Sequence, residues 1–575
     1  MIAMKKLNYL KDSVFNNKNI ESCDSALQTV FLSICNIKDR ARVFHGSGVT
    51  LANAWENAVY KVNNFLKTQM LLKKPYFVKW IKADVVVDAE TISSNDLTRK
   101  IVNYQWKNFA RLGISFDEKF KVAFIEAEIH GNKMLDFDFT QAEIMSKQVD
   151  YNKNMINLAN INHYLKTYYK LSAISSIPEN LTIFITQGFF IDEEDTIHEL
   201  YHDNMDFGRR RVDLIDEHVI HHAIVGASEY LVRLINEKGR FIYGYFPIFG
   251  ATMVNYNIVR HTSTLWSVIN LYRLSNDDTL IPKIDTAIEF MLNEIVYVHD
   301  CAYLVEASSG EIKLGALGVS IIMLTEYMDV FKTDKYNTLV TKLANGILTM
   351  HNNETGAYIH VLNANDYTIR DAFRTVYYEG EATFGLARAY TYTGEQKFLD
   401  AAITSVEMFI RENYIIHRDH WVAYALNEVT KYVDDVRYFE FALMNIDKNL
   451  KGIYKRATSF HTYLEMLMTG WQTYRRAFAN NIDSEMIKAY DPTFFAQTIY
   501  HRARHMLNGY FYPEYAMYMK YPETIVHSFH VRHHNFRVRI DDIQHFIGGY
   551  YFYCIYFEDI KQYLTDDFIK SLDQS

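Results

Sequence analysis

Small and apolar residues recur at helical spacing across residues 377–402, with Ala382, Leu386 and Ala389 on one face. Thr393-Gly394-Glu395 breaks the pattern, and Phe398, Leu399 and Ala402 restart it. This predicts two antiparallel helices joined by a tight turn. The same plan spans residues 256–292, broken at Ser275 to Asp278, and residues 314–350, broken at Lys332-Thr333-Asp334-Lys335. Units of this size bury their apolar faces only against neighbours, so tandem hairpins predict a closed or stacked array, with closure the better fit. From Val212 onward the helical pattern is nearly uninterrupted: residues 215–235, closed by Lys238-Gly239, then 398–413, 424–432, 460–478, 494–507 and 543–564. Only 7 prolines in the chain suit that reading, because proline breaks helix interiors.

Residues 1–210 follow a different pattern. Segments 41–49, 76–87, 121–129 and 181–190 are rich in β-branched and aromatic residues and predict strands, whereas 50–66 has helical spacing. The chain therefore divides into an α+β domain over residues 1–210 and a helical domain over 211–575. His45-Gly46-Ser47-Gly48 precedes the helix and reads as a plain turn; an anion-binding helix start is the alternative, without the lysine of a P-loop.

With 575 residues, 49% hydrophobic and 22% charged, the chain is a folded globular protein of more than one ordinary core. A net charge of −9 gives no general attraction to nucleic acid. Arg209-Arg210-Arg211 reads as a solvated turn or a structural anion contact. The 15% aromatic content suits core packing first and a sugar-stacking cleft second. Cys23, Cys35, Cys301 and Cys554 have neither metal-ligand spacing nor the number for a disulfide framework, which suits a reduced cytoplasm. No run long and apolar enough for a membrane helix is expected, and the sequence does not specify an oligomeric state.

The stretches NYNIVRHTSTLWSVINLYRLSND, YYEGEATFGLARAYTYTGEQKFLDAA and RVRIDDIQHFIGGYYFY resemble the six-hairpin (α/α)6-toroid superfamily, which includes glycoside hydrolases, unsaturated uronyl hydrolases, polysaccharide lyases and sugar 2-epimerases. The resemblance covers roughly residues 212–565 and rests on repeat style rather than a catalytic signature. It implies a mainly α protein, an (α/α)6-type toroid preceded by the α+β domain, with its chemistry at the mouth where inner helices begin.

Polar residues at such helix starts are Arg260 and His261, Glu379 and Glu381, Asp419-His420-Trp421, His461 and Glu465, and Arg539, Asp541, Asp542 and His545. Each can also serve simply as a helix cap or ion-pair partner. Glu381 with Asp541 or Asp542 supplies the two carboxylates that glycoside cleavage needs. His261, His420, His461 and His545 instead suit proton transfer beside a sugar carbonyl, as in an epimerase. Arg260 and Arg539 suit a uronate carboxylate, and Tyr378, Trp421, Trp266 and Tyr424 suit sugar faces. The expected catalytic set is Glu381, Asp541, Asp542 and His261; the expected substrate-binding set is Arg260, Glu379, Tyr378, His420, Trp421, His461, Arg539 and His545. The expected function is acid/base chemistry on an oligosaccharide or uronate-containing glycan, hydrolysis first. A sugar epimerase, or a noncatalytic glycan-binding or assembly protein in surface-polysaccharide production, are the alternatives. No cofactor and no metal are expected, since Glu217, His218, His221 and His222, like His533-His534, lack a complementary ligand set.

Overall fold

The computed structural model describes residues 2–21, 27–105, 110–136, 155–202, 205–531 and 536–573. Cys23 and His533-His534 lie outside them. Strands β1 (Gln28–Cys35), β2 (Arg42–Gly48), β3 (Trp80–Ser93), β4 (Gly113–Ser115), β5 (Ala123–Phe124), β6 (Asn180–Ile191) and β7 (Ile197–Glu199) form an antiparallel sheet in the order β2-β1-β3-β6-β4-β5, with β7 on β6. Side chains alternate across it. Val30 and Leu32 pack with helices α1 (Ile2–Phe15) and α2 (Leu51–Leu71), whereas Phe31, Trp80 and Phe184 join the large core that continues into the helical part.

Two local expectations are corrected. His45 to Gly48 is strand rather than turn, and its glycine lets α2 lie flat on the sheet: a Cβ on Gly46 would fall 2.2 Å from the Ala54 carbonyl oxygen. Residues 121–129 are not one strand. Glu128 Oε2 accepts a hydrogen bond from the Ile125 N–H at 3.1 Å, which starts helix α3 (Glu126–Gly131) directly after β5.

Beyond β7 the chain is a double ring of helices. α4 (Glu217–Arg233), α6 (Ile281–Leu292), α8 (Asn337–Leu348), α10 (Gln396–Arg411), α12 (Val436–Tyr454) and α14 (Thr493–Met506) form the outer layer. α5 (Ile258–Ser275), α7 (Leu314–Phe331), α9 (Tyr377–Thr393), α11 (His420–Val429), α13 (Thr462–Ala479) and α15 (Ile540–Lys561) form the inner one. Each inner helix packs on the next, and α15 returns to α5, so the ring closes as an (α/α)6 toroid. The two layers differ as burial requires. α10 keeps an apolar stripe with exposed polar positions between, whereas α7 is buried on nearly every side. α7 is also long and apolar enough to cross a membrane, contrary to expectation, but its apolar surface is used inside the ring.

The hairpin turns follow the sequence pattern; Gly394 takes φ +69° where α9 gives way to α10. α12 was not among the expected helices, although Asp435 caps it by accepting from the Arg437 N–H at 2.9 Å. Short strands β8 (Gly244–Phe246), β9 (Ala251–Thr252) and β10 (Val538–Arg539) pair as β10-β8-β9. Their pairing, Val538 with Tyr245 and Arg539 with Gly244, fixes the backbone just before α15.

Candidate active site

A cavity of about 540 Å³ lies at the N-terminal ends of the inner helices. Arg260 comes from α5, Tyr377 from α9, His420 and Trp421 from α11, Phe460, His461 and Thr462 from the start of α13, and Asp541, Asp542 and His545 from α15. Phe246, Val531, Arg537 and Arg539 complete the lining. Helix starts carry partial positive charge, so five of them around one cavity favour negative charge inside it. Behind Trp421, Trp266 and Tyr424 lie with ring centroids 5.8 Å apart, and Tyr424 stacks on Phe384 at 5.3 Å. These aromatic rings use much of the expected sugar-stacking set as core.

Asp542 is the most strongly held group. Arg539 grips it with both arms, Nη2 to Oδ1 at 2.7 Å and Nε to Oδ2 at 2.9 Å, and His461 Nε2 lies 2.8 Å from Oδ1. Burial alone would raise this carboxyl, but the His461 and Arg539 bonds outweigh it and hold Asp542 well below the ordinary range. An ionised Asp542 accepts from His461 Nε2–H, which orients the ring and leaves Nδ1 without a hydrogen-bond partner among the described residues. Asp541 is looser, with Oδ2 3.4 Å from Arg260 Nε and 3.5 Å from Arg539 Nη2, and its buried Oδ1 unpartnered.

The second cluster centres on Glu465, which is 0% exposed. Its Oε2 lies 2.7 Å from His545 Nδ1, and Tyr424 O–H donates to its Oε1 at 3.0 Å. Burial pushes Glu465 well up and His545 well down. Both neutral forms are thus favoured, and one arrangement that satisfies the contact has the carboxyl donating to Nδ1 with the ring proton on Nε2. His420 is 3% exposed, lies edge-on to His545 with centroids 4.7 Å apart, and among the described residues has no hydrogen-bond partner for either ring nitrogen, Asp419 Oδ1 and Glu465 Oε2 lying 3.5 and 3.8 Å away. Burial, and then the neighbouring His545 and His461, hold it neutral. The His461 and His545 rings stack at 5.0 Å.

His420, Glu465 and His545 also offer three ligand atoms within 4.8 Å of one another, a set able to hold a divalent cation. Nothing in the sequence gives reason to expect a metal here; the histidines weighed and set aside there, His218, His221 and His222, are exposed along α4.

Eight of the twelve expected site residues line the cavity: Arg260, His420, Trp421, His461, Arg539, Asp541, Asp542 and His545. Four do not. His261 faces the outer layer, with Nε2 2.9 Å from the Ala287 carbonyl and Nδ1 2.7 Å from Tyr256 Oη. Glu379 accepts from Tyr414 O–H at 2.7 Å. Tyr378 packs against His360, and its neighbour Tyr377 takes the cavity position. Glu381 is 1% exposed, and its Oε2, packed against Gly315, has no hydrogen-bond partner.

The helix dipole would lower the Glu381 carboxyl, but burial, only partly opposed by Arg260, raises it from 4.5 to about 8. The folded protein therefore keeps this proton where the unfolded chain has lost it, so stability falls as pH rises from about 4.5 to about 8. Glu381→Gln is expected to fold and to lose less stability than the parent over that window, read as urea midpoints at pH 5 and pH 8.5. An unchanged pH dependence would place the proton elsewhere.

The lining residues missed from sequence are Phe246, Tyr377, Phe460, Thr462, Val531 and Arg537. Arg537 and Phe460 had a usable signal, since each stands within two residues of an expected site residue.

No protein-family model matches the chain, and no curated protein does. Among solved structures it is similar to a D-mannose isomerase at 12% identity over 60% of this chain and 97% of that one, with a TM-score of 0.46. It is similar to the cellobiose 2-epimerase of Bacillus thermoamylovorans at 14% identity, over 50% of this chain and 86% of that one, with a TM-score of 0.40. An unsaturated glucuronyl hydrolase specific for heparin matches at 11% identity over 60% of this chain and 97% of that one, with a TM-score of 0.42.

Proposed function

We propose that this chain is a carbohydrate-active enzyme that moves a proton to and from the carbon beside a sugar carbonyl, as an isomerase or epimerase. The observation that carries this reading is the pair of imidazoles set in opposite roles at one cavity. His461 has its Nε2 committed to Asp542, and His545 its Nδ1 to Glu465. In the step proposed, His461 Nδ1 takes the proton from the C–H, the bonding pair becomes the enediol double bond, and the carbonyl oxygen takes a proton from His545 Nε2. Reversal at the other carbon isomerises the sugar; return to the other face of the same carbon epimerises it. Arg260, Arg539 and the helix starts favour the oxyanion that develops. Trp421, Tyr377 and Phe460 offer faces for the sugar ring, and Thr462 a hydroxyl on the same wall. Among the described residues Cys35, Cys301 and Cys554 form no disulfide, in keeping with a cytoplasmic setting.

Hydrolysis is the second reading, supported by two adjacent carboxylates, Asp541 and Asp542, on the cavity wall. It needs a proton-donating carboxyl. Asp542 is held ionised, and the carboxyls that burial keeps protonated, Glu381 and Glu465, are not among the residues lining the cavity. The deciding experiment incubates the full chain with aldoses, ketoses and oligosaccharides in D2O. Deuterium entering the carbon beside the carbonyl supports proton transfer. New reducing ends without deuterium would establish hydrolysis instead, and saturable glycan binding with neither would leave a noncatalytic receptor.

A further inference from the structure

Arg537 is exposed and precedes β10, whose Val538 is fully buried. Residues two apart in extended chain share a side, so Arg537 and Arg539 project together and both line the cavity. Their electrostatic situations differ. Arg539 is spent on Asp542 and reaches Asp541, and Arg260 is matched by Asp541. Arg537 has no carboxylate within ion-pair distance among the described residues. Three arginines thus face two aspartates across the cavity. The helix starts add positive potential to the same space.

This points past the bare sugar ring. The buried unpartnered atoms, His420 Nδ1 and Nε2, His461 Nδ1 and Asp541 Oδ1, are suited to hydroxyls and to a carbonyl. A guanidinium left over at the wall is suited to a planar or tetrahedral anion, to which it can offer two parallel N–H donors.

We propose that Arg537 recognises an acidic substituent on the sugar, a carboxylate or a phosphate, and that the substrate is therefore an anionic sugar. This rests on the proton-transfer reading for the rest of the site, but it can be tested separately. The full chain, Arg537→Gln and Arg537→Lys are compared with D-glucose, D-glucuronate and D-glucose 6-phosphate, by solvent deuterium exchange and by calorimetric binding at low and high salt.

The parent is expected to prefer at least one acidic sugar over glucose by about ten- to a hundredfold, the worth of a charge-assisted hydrogen-bond pair. Arg537→Gln should collapse that ratio, and Arg537→Lys should keep part of it. The preference should weaken with salt. Preference for glucuronate identifies a uronate, and preference for the 6-phosphate a phosphosugar. Glucose handled as well as both acids, or a ratio untouched in Arg537→Gln, overturns the assignment. If no sugar exchanges hydrogen, the proton-transfer reading fails; binding still decides Arg537, because a salt-sensitive acidic preference lost in Arg537→Gln upholds it and equal binding of all three overturns it.

Discussion

Replacing His545 by asparagine is expected to slow carbon-bound proton exchange by about 10²–10⁴-fold, the span of general acid/base help, while the toroid stays folded. Asparagine is the informative choice because its amide can still meet Glu465, whose carboxyl is buried and joined to His545 Nδ1 at 2.7 Å. Alanine would leave that carboxyl with one partner fewer and cost about 1–3 kcal/mol of stability, mixing folding with chemistry. The loss should fall on kcat with KM little changed, because the proton on Nε2 is needed only as charge develops on the carbonyl oxygen. His461→Asn should act similarly, through loss of the base held in place by Asp542. A His545→Asn enzyme that keeps more than about a tenth of the parent rate would lie outside that span and remove His545 from the reaction.

The sequence revealed where chemistry gathers more surely than which side chain performs it. Inner helices had to be apolar along most of their length, so polar residues clustered at their starts were conspicuous, and Arg260, His420, His461, Asp542 and His545 were visible for that reason. Rotational phase was not visible. One residue along a helix turns the side chain by about 100°, which separates Arg260 in the cavity from His261 against the Ala287 carbonyl, and Tyr377 in the cavity from Tyr378 behind it. Burial depth was equally hidden. Glu381 at a helix start reads as a stabilised anion until the neighbouring helix, with Gly315 against its carboxyl, shuts out water. Glu465 was noticed, but its pairing with His545, 80 residues away, exists only once α13 meets α15. In the first 210 residues the strands at β2, β3 and β6 were legible from β-branched runs, whereas the β2-β1-β3-β6-β4-β5 order depends on pairings no local pattern encodes.

The arginine run, which the sequence reads as a solvated turn or a structural anion contact, takes the second form and sets up the largest expected stability effect. Arg209 and Arg210 are not solvated. Arg210 binds Glu514 through Nη2 to Oε2 at 2.7 Å and Nε to Oε1 at 2.9 Å, and stacks on Tyr512 at 4.5 Å. Arg209 Nε donates to Asn508 Oδ1 at 2.9 Å, and Asp206 accepts from Arg504 Nη2 at 2.8 Å. The segment that follows the sheet is therefore fastened by ion pairs to α14, through Arg504, and to the segment between α14 and α15, through Glu514. Glu514 is 0% exposed; burial would raise its carboxyl, and Arg210 reverses that and holds it low. Arg210→Ala strips the partner and leaves a buried charge, so a loss of about 3–5 kcal/mol is expected by urea unfolding near neutral pH. Without Arg210 the carboxyl recovers by taking up a proton, so the loss should shrink as pH falls. Arg210→Met with Glu514→Leu removes both charges and should regain most of the stability. A single variant that loses under about 1 kcal/mol, the range of exposed pairs, would show that this contact does not fasten the sheet to the ring.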